Sequence, residues 1–118
     1  MTGVQTCALP IFLLVERDGE VVAGGAFKRE SESTVEIKRV WTSSAHRRQG
    51  LARVVMAELE REAAARGYTT VELTTGARQP EAVALYLSLG YTPQYDTAGD
   101  LEAIGYLPFT KSLPEPIG

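Results

Sequence analysis

The sequence predicts an α/β fold built on one mixed sheet, in the order β-β-β-α-β-α-β-β, and three observations carry that prediction. Asp18-Gly19 separates two apolar runs, the strongest short-range signal for an antiparallel hairpin. From Thr34 to Thr74 a β-rich run, an amphipathic helical run and a second β-rich run follow one another. Such a unit crosses over right-handedly and makes its two strands parallel. Two helical runs each end on a glycine, at Gly67 and Gly90, as helices do where the chain turns left-handed.

The first hairpin pairs Phe12 to Arg17 with Glu20 to Phe27, and Gly24-Gly25 inside its second strand points to a bulge or a close approach. Lys28 to Ser33 is a polar turn. In the third strand, Thr34 to Thr42, Val35 and Ile37 set a two-residue period, but the apolar positions resume at Val40, one residue late. A phase slip of one residue is the signature of a β-bulge, which is common beside active sites. After the polar loop Ser43 to Gln49, Leu51 to Arg66 reads as a helix with Leu51, Val54, Val55, Leu59 and Ala63 on one stripe. Tyr68 to Thr74 is the fourth strand. Pro80 opens the second helix at its first position, where a missing N–H costs nothing. Tyr91 to Tyr95 begins a return strand, Ile104 to Leu113 supplies the last, and residues 114–118 form a tail.

Composition removes several function classes. Twelve Lys and Arg against fifteen Asp and Glu give a net charge of −3. Nucleic-acid and anionic-membrane binders need a cationic excess to displace counterions, so neither partner is expected. One Cys and one His cannot furnish a structural zinc site or close an intramolecular disulfide, and no metal is expected. The apolar run from Cys7 to Val15 is too short to span a bilayer and contains Pro10; without basic residues before it or a small-x-small site after it, it does not read as a signal peptide. A cytoplasmic location is therefore expected. Residues 1–11, MTGVQTCALPI, lack charge and period, and they resemble the translation of a sequencing-library adaptor. They are set aside as a non-native leader, leaving a domain over residues 12–113.

The residues that carry chemistry begin at Arg47-Arg48-Gln49-Gly50-Leu51-Ala52. A helix N-terminus leaves about four N–H groups unpaired and carries about half a positive charge, so it attracts anions. Gly50 admits a close backbone approach, small Ala52 leaves room, and the two arginines add charge. The loop lacks the Gly-Lys-Ser/Thr ending of a Walker loop. On its own it fits a solvated basic turn equally well.

Arg47-x-x-Gly50-x-Ala52 after a bulged strand resembles the Q/R-x-x-G-x-G/A motif of GNAT acetyltransferases, which move an acetyl group from acetyl-CoA to an amine. Ala82-x-x-Leu85-Tyr86-x-x-x-Gly90-Tyr91 matches a second pattern of that family, and Val35 to Trp41 is similar to its signature strand. The resemblance implies a GNAT-like mixed sheet that lacks the family's usual first strand and two helices. Without them an apolar face would stay uncovered, which implies self-association, either a homodimer or aggregation. It further implies acetyl-CoA as co-substrate, its pyrophosphate on the amides from Arg48 to Ala52 and its pantetheine arm beside Val40, Trp41 and Thr42. Gln79 stands where many relatives carry an asparagine near the cofactor. The acceptor implied is a primary amine of a small molecule or a protein, with no acyl-enzyme. A second reading is a non-catalytic acyl-CoA-binding module, and a third an inactive gene fragment.

Direct transfer needs a base for the ammonium and an acid for the departing thiolate. Tyr86 is the acid that the family pattern implies, although a core tyrosine on an amphipathic helix has the same spacing. Glu36 is the candidate base, acting through water, provided apolar neighbours raise its proton affinity. Pairing with Lys38 or Arg39 is the competing role. His46 reads as a solvated loop residue, and Glu58, Glu60, Arg61 and Glu62 as the solvated face of the first helix. Tyr95 and Tyr106 are strand tyrosines that could line the acceptor site.

Overall fold

A computed structural model describes residues 2–5, 11–46, 50–76 and 80–114. Seven strands form one sheet: β1 (Thr2–Gln5), β2 (Ile11–Arg17), β3 (Glu20–Arg29), β4 (Thr34–Thr42), β5 (Thr70–Gly76), β6 (Thr92–Pro93) and β7 (Tyr106–Ser112). Their spatial order is β1-β2-β3-β4-β5-β7-β6. Every neighbouring pair is antiparallel except β4 with β5, which α1 (Leu51–Ala65) connects. A 3₁₀ turn (Ser44–His46), α2 (Pro80–Ser88) and the short α3 (Leu101–Ile104) complete the described elements. Beyond the predicted elements, the structure adds β1 and α3. Ile11, the last residue of the segment that resembles an adaptor translation, opens β2 and is wholly buried.

Local chemistry accounts for the turns. Asp18 and Gly19 both have positive φ, 53° and 82°, as a two-residue hairpin requires. At the end of α1, Gly67 at φ 91° lets its own N–H reach the Ala64 carbonyl and that of Tyr68 reach Ala63.

Both long helices lie on one face of the sheet. Val55, Met56, Leu59 and Ala63 of α1 bury against Phe27, Val35, Ile37 and Val71 of the strands, while Tyr86 of α2 meets Phe109 of β7. Each large side chain so buried contributes about 1.5–3 kcal/mol. Val54, expected on the buried stripe, is exposed, and Met56 takes its place. The stripe is centred between Val55 and Leu59, which leaves Val54 on its flank. On the other face Phe12, Leu14 and Trp41 stand 41%, 37% and 42% exposed.

Two irregularities shape the centre of the sheet. Gly24 pairs with Trp41 and Ala26 with Lys38, so Gly25 alone faces both Arg39 and Val40. Arg39 adopts φ 58°, and this is the bulge that the phase slip predicts. The second irregularity is an early end to pairing. The parallel ladder of β4 and β5 runs only from Thr34–Thr70 to Glu36–Glu72, although both strands continue. Beyond that point β4 and β5 part.

Candidate active site

The gap between the parted strands is a cleft of about 200 Å³ whose walls include Lys38, Arg39 and Val40 of β4, Thr74 and Gly76 of β5, and Tyr86 of α2. Just past the end of β4, Ser43 N–H donates to the Val22 carbonyl at 2.8 Å. By the alternation of an antiparallel ladder, Thr42 then turns its own N–H and C=O away from β3 and toward the gap. Val40 is half-buried with its side chain on the helical face, close to the position that a Cβ on Gly25 would take. Trp41 faces the opposite side, its indole nitrogen 2.8 Å from where a Cβ on Gly24 would sit.

Above the gap α1 begins. Gly50 takes φ 73° at the N-cap and supplies no side chain to the first-turn amides. Among the described residues nothing lies within 4 Å of a Cβ built there, so glycine answers a conformational need and not a shortage of room. The Leu51 side chain is buried in the core, which leaves its backbone as the part that can face a ligand, and Ala52 is half-buried. Arg47, Arg48, Gln49 and Gln79 lie outside the described residues.

Tyr86 stands at the gap between two aromatic neighbours, its ring centroid 5.9 Å from Tyr91 and 5.8 Å from Phe109. Burial pushes its hydroxyl above the ordinary tyrosine value, so it holds its proton throughout the neutral range. Glu36 sits at the apex of the split on the other face. Its carboxylate lies 3.5 Å from the ammonium groups of both Lys28 and Lys38. Its neighbours are therefore cations, not the apolar groups expected around it.

Glu72 belongs to none of the motifs that mark the site in the sequence. The register sets it directly beside Glu36 on the adjacent strand, and among the described residues it has no ion-pair or hydrogen-bond partner. Both carboxylates border a second cleft of about 320 Å³, shared with Thr74, Gln94 and Thr110. Alternation in the fourth strand places Glu72 outward, but only the pairing register brings it to Glu36. Tyr95 packs its ring 5.5 Å from Phe109 as a structural tyrosine, while Tyr106 is exposed.

The sequence matches the Acetyltransferase (GNAT) family over residues 5–91. The chain belongs to this family. It is 34% identical over 94 residues to IAA acetyltransferase of Azospirillum brasilense, across 77% of this chain and 61% of that one. It thus spans about three-fifths of that relative's length. A crystal structure from Klebsiella pneumoniae, provisionally assigned as an acyl-CoA N-acyltransferase, superposes with a TM-score of 0.78 at 33% identity, covering 88% of this chain and 72% of the other. A GNAT family acetyltransferase from Elizabethkingia anophelis with acetyl-CoA bound shares the fold, with a TM-score of 0.74 at 15% identity over 88% and 76% of the two chains.

Proposed function

We propose that the chain is an N-acetyltransferase that moves an acetyl group from acetyl-CoA directly to a primary amine. The observation that carries this reading is the split of β4 from β5 after Glu36–Glu72, with Tyr86 on its wall. Acetyl-CoA supplies the acetyl thioester. Gly50 and the uncapped amides of the first turn of α1 fit its pyrophosphate, with Arg47, Arg48 and Gln49 just before them. An extended amide-bearing arm fits along Val40, Trp41 and Thr42, meeting the N–H and C=O that Thr42 turns away from β3, and the family pattern offers Gln79 as a further contact.

In the transfer, the amine nitrogen forms a bond to the acetyl carbon and the carbon–sulfur bond breaks. The nitrogen gives up a proton, which Glu36 takes through water despite the two lysines beside it, and Tyr86 returns one to the leaving sulfur. The raised proton affinity of Tyr86 keeps it in the acid form as the thiolate develops. Glu72, beside Glu36, is the second carboxylate within reach of an amine on that side. The acceptor is a small-molecule or protein amine.

Thermal unfolding with and without acetyl-CoA, followed by release of free thiol in the presence of a primary-amine panel, tests the reading. The panel comprises a polyamine, the free amino acids and a peptide with a free N-terminus. Saturation at one hundred times Kd stabilises the fold by about 2.7 kcal/mol. Tyr86→Phe is expected to lower kcat by about 100-fold while acetyl-CoA stabilises the variant equally. A cooperative transition that acetyl-CoA leaves unmoved refutes the cofactor assignment. Stabilisation without thiol release on any amine favours an acyl-CoA-binding module.

A further inference from the structure

Three side chains, Tyr91 buried and Glu60 and Lys111 partly so, converge behind Tyr86 away from the gap. Glu60 belongs to the helix face expected to be solvated, and its neighbours behave that way: Arg61 pairs with Glu58 at 2.6 Å and Arg66 with Glu62 at 2.9 Å along the surface of α1. Glu60 instead turns toward the sheet. One carboxylate oxygen accepts the Tyr91 hydroxyl at 2.9 Å, and the other lies 2.8 Å from the Lys111 ammonium. The same ammonium sits 5.4 Å from the centre of the Tyr91 ring. Tyr91 is thereby held at its hydroxyl and across its ring face.

Tyr91 in turn meets Tyr86. The two rings meet edge to face, with an interplanar angle of 63°. The Tyr91 N–H also donates to the Tyr86 carbonyl at 3.0 Å, a bond that Gly90 makes available by turning at φ 90°. Lys111 lies two residues beyond Phe109 on β7, so both aromatic walls around Tyr86 are anchored to one strand. A surface ion pair would contribute little, but Glu60 is mostly shielded and satisfies two partners at once.

We propose that Glu60 is a positioning residue for acetyl transfer, acting through Tyr91 to hold the Tyr86 ring at the gap. The inference rests on Tyr86 as the acid of the proposed reaction. It predicts coupling between two residues that do not touch, and coupling is what a double-mutant cycle measures. The fastest amine of the panel serves as acceptor.

Glu60→Ala is expected to lower kcat about 10-fold, with KM for acetyl-CoA within about twofold. Placed on Tyr86→Phe, the same substitution is expected to lower kcat less than about twofold, because the group it positions is gone. Glu60→Gln retains an acceptor for Tyr91 and is expected to recover most of the rate, while Tyr91→Phe reproduces Glu60→Ala. In tyrosine-labelled protein, the ring resonances of Tyr86 shift on Glu60→Ala. If Glu60→Ala unfolds the chain, Tyr91→Phe with Tyr86→Phe completes the cycle. Equal losses in both backgrounds, or an unchanged kcat for Glu60→Ala alone, overturn the inference and leave Tyr86 in place. An undiminished kcat for Tyr86→Phe instead removes the acid, and the inference falls with it.

Discussion

On the helical face of the sheet, Phe27, Leu107 and Phe109 are sealed from solvent together with Leu59 of α1, whereas on the opposite face Phe12, Leu14 and Trp41 stand exposed, and Glu36 pairs there with Lys28 and Lys38. Alternation along each strand produces both surfaces at once, so the difference lies in what covers them. One face carries the energy of folding. The other carries charge and access to the split, and its residues are free to be selected for chemistry.

Substitution should expose that asymmetry. The largest effect is expected from Phe109→Ala, which empties a fully buried site and withdraws a wall from Tyr86; denaturant unfolding should show a loss of about 3–5 kcal/mol. Next come the paired glycines. A Cβ at Gly25 would lie 3.0 Å from Leu59 and Val55 on the helical side, and one at Gly24 would lie 2.9 Å from the Leu13 carbonyl and 2.8 Å from Trp41 on the other. Either Ala variant is expected to cost about 1–3 kcal/mol. Trp41 is the single tryptophan, so only Gly24→Ala should shift the fluorescence emission. An equal shift for both would erase the distinction between the faces.

Alkaline pH provides a third comparison. Burial raises Tyr86 and Tyr91 above the ordinary tyrosine value of 10.0, and for Tyr91 the Glu60 charge and hydrogen bond add to it. The folded state then holds protons that the unfolded chain releases, so stability from these groups is constant below pH 10 and falls as pH rises beyond it. Melting curves across that range should show a decline that Tyr91→Phe flattens more than Tyr86→Phe. The smallest effect belongs to the open face: Phe12→Ser should change stability by no more than about 0.5 kcal/mol.

Most of this architecture is written in local pattern. The hairpin follows from Asp18-Gly19, the helix ends from Gly67 and Gly90, and the bulge from the delayed return of apolar residues at Val40. Tyr86 is marked by its motif, whereas the cleft that it borders depends on where the β4–β5 ladder ends. What local pattern does not hold is register. Glu72 meets Glu36 only because two strands distant in sequence pair at that level. Glu60 looks like any polar helix residue until Lys111 and Tyr91, each from a later part of the chain, come to it. β1 has no period to announce it and depends on β2 as its template.

The bulge at Arg39 also sets the parity of β4. Because one extra residue intervenes, Val40 and Thr42 share the helical side with Val35 and Ile37, and Trp41 is sent to the other. Were the same residues to run on without the bulge, Trp41 would turn to the helical side and Val40 to the other. The indole would be driven against α1, and Val40 would lose its seat beside Gly25. Deleting Arg39, by contrast, would leave both side chains on their present faces, because the strand would then alternate evenly with no bulge. In this short stretch of chain, a kink in the backbone decides which side chains lie inside and which outside.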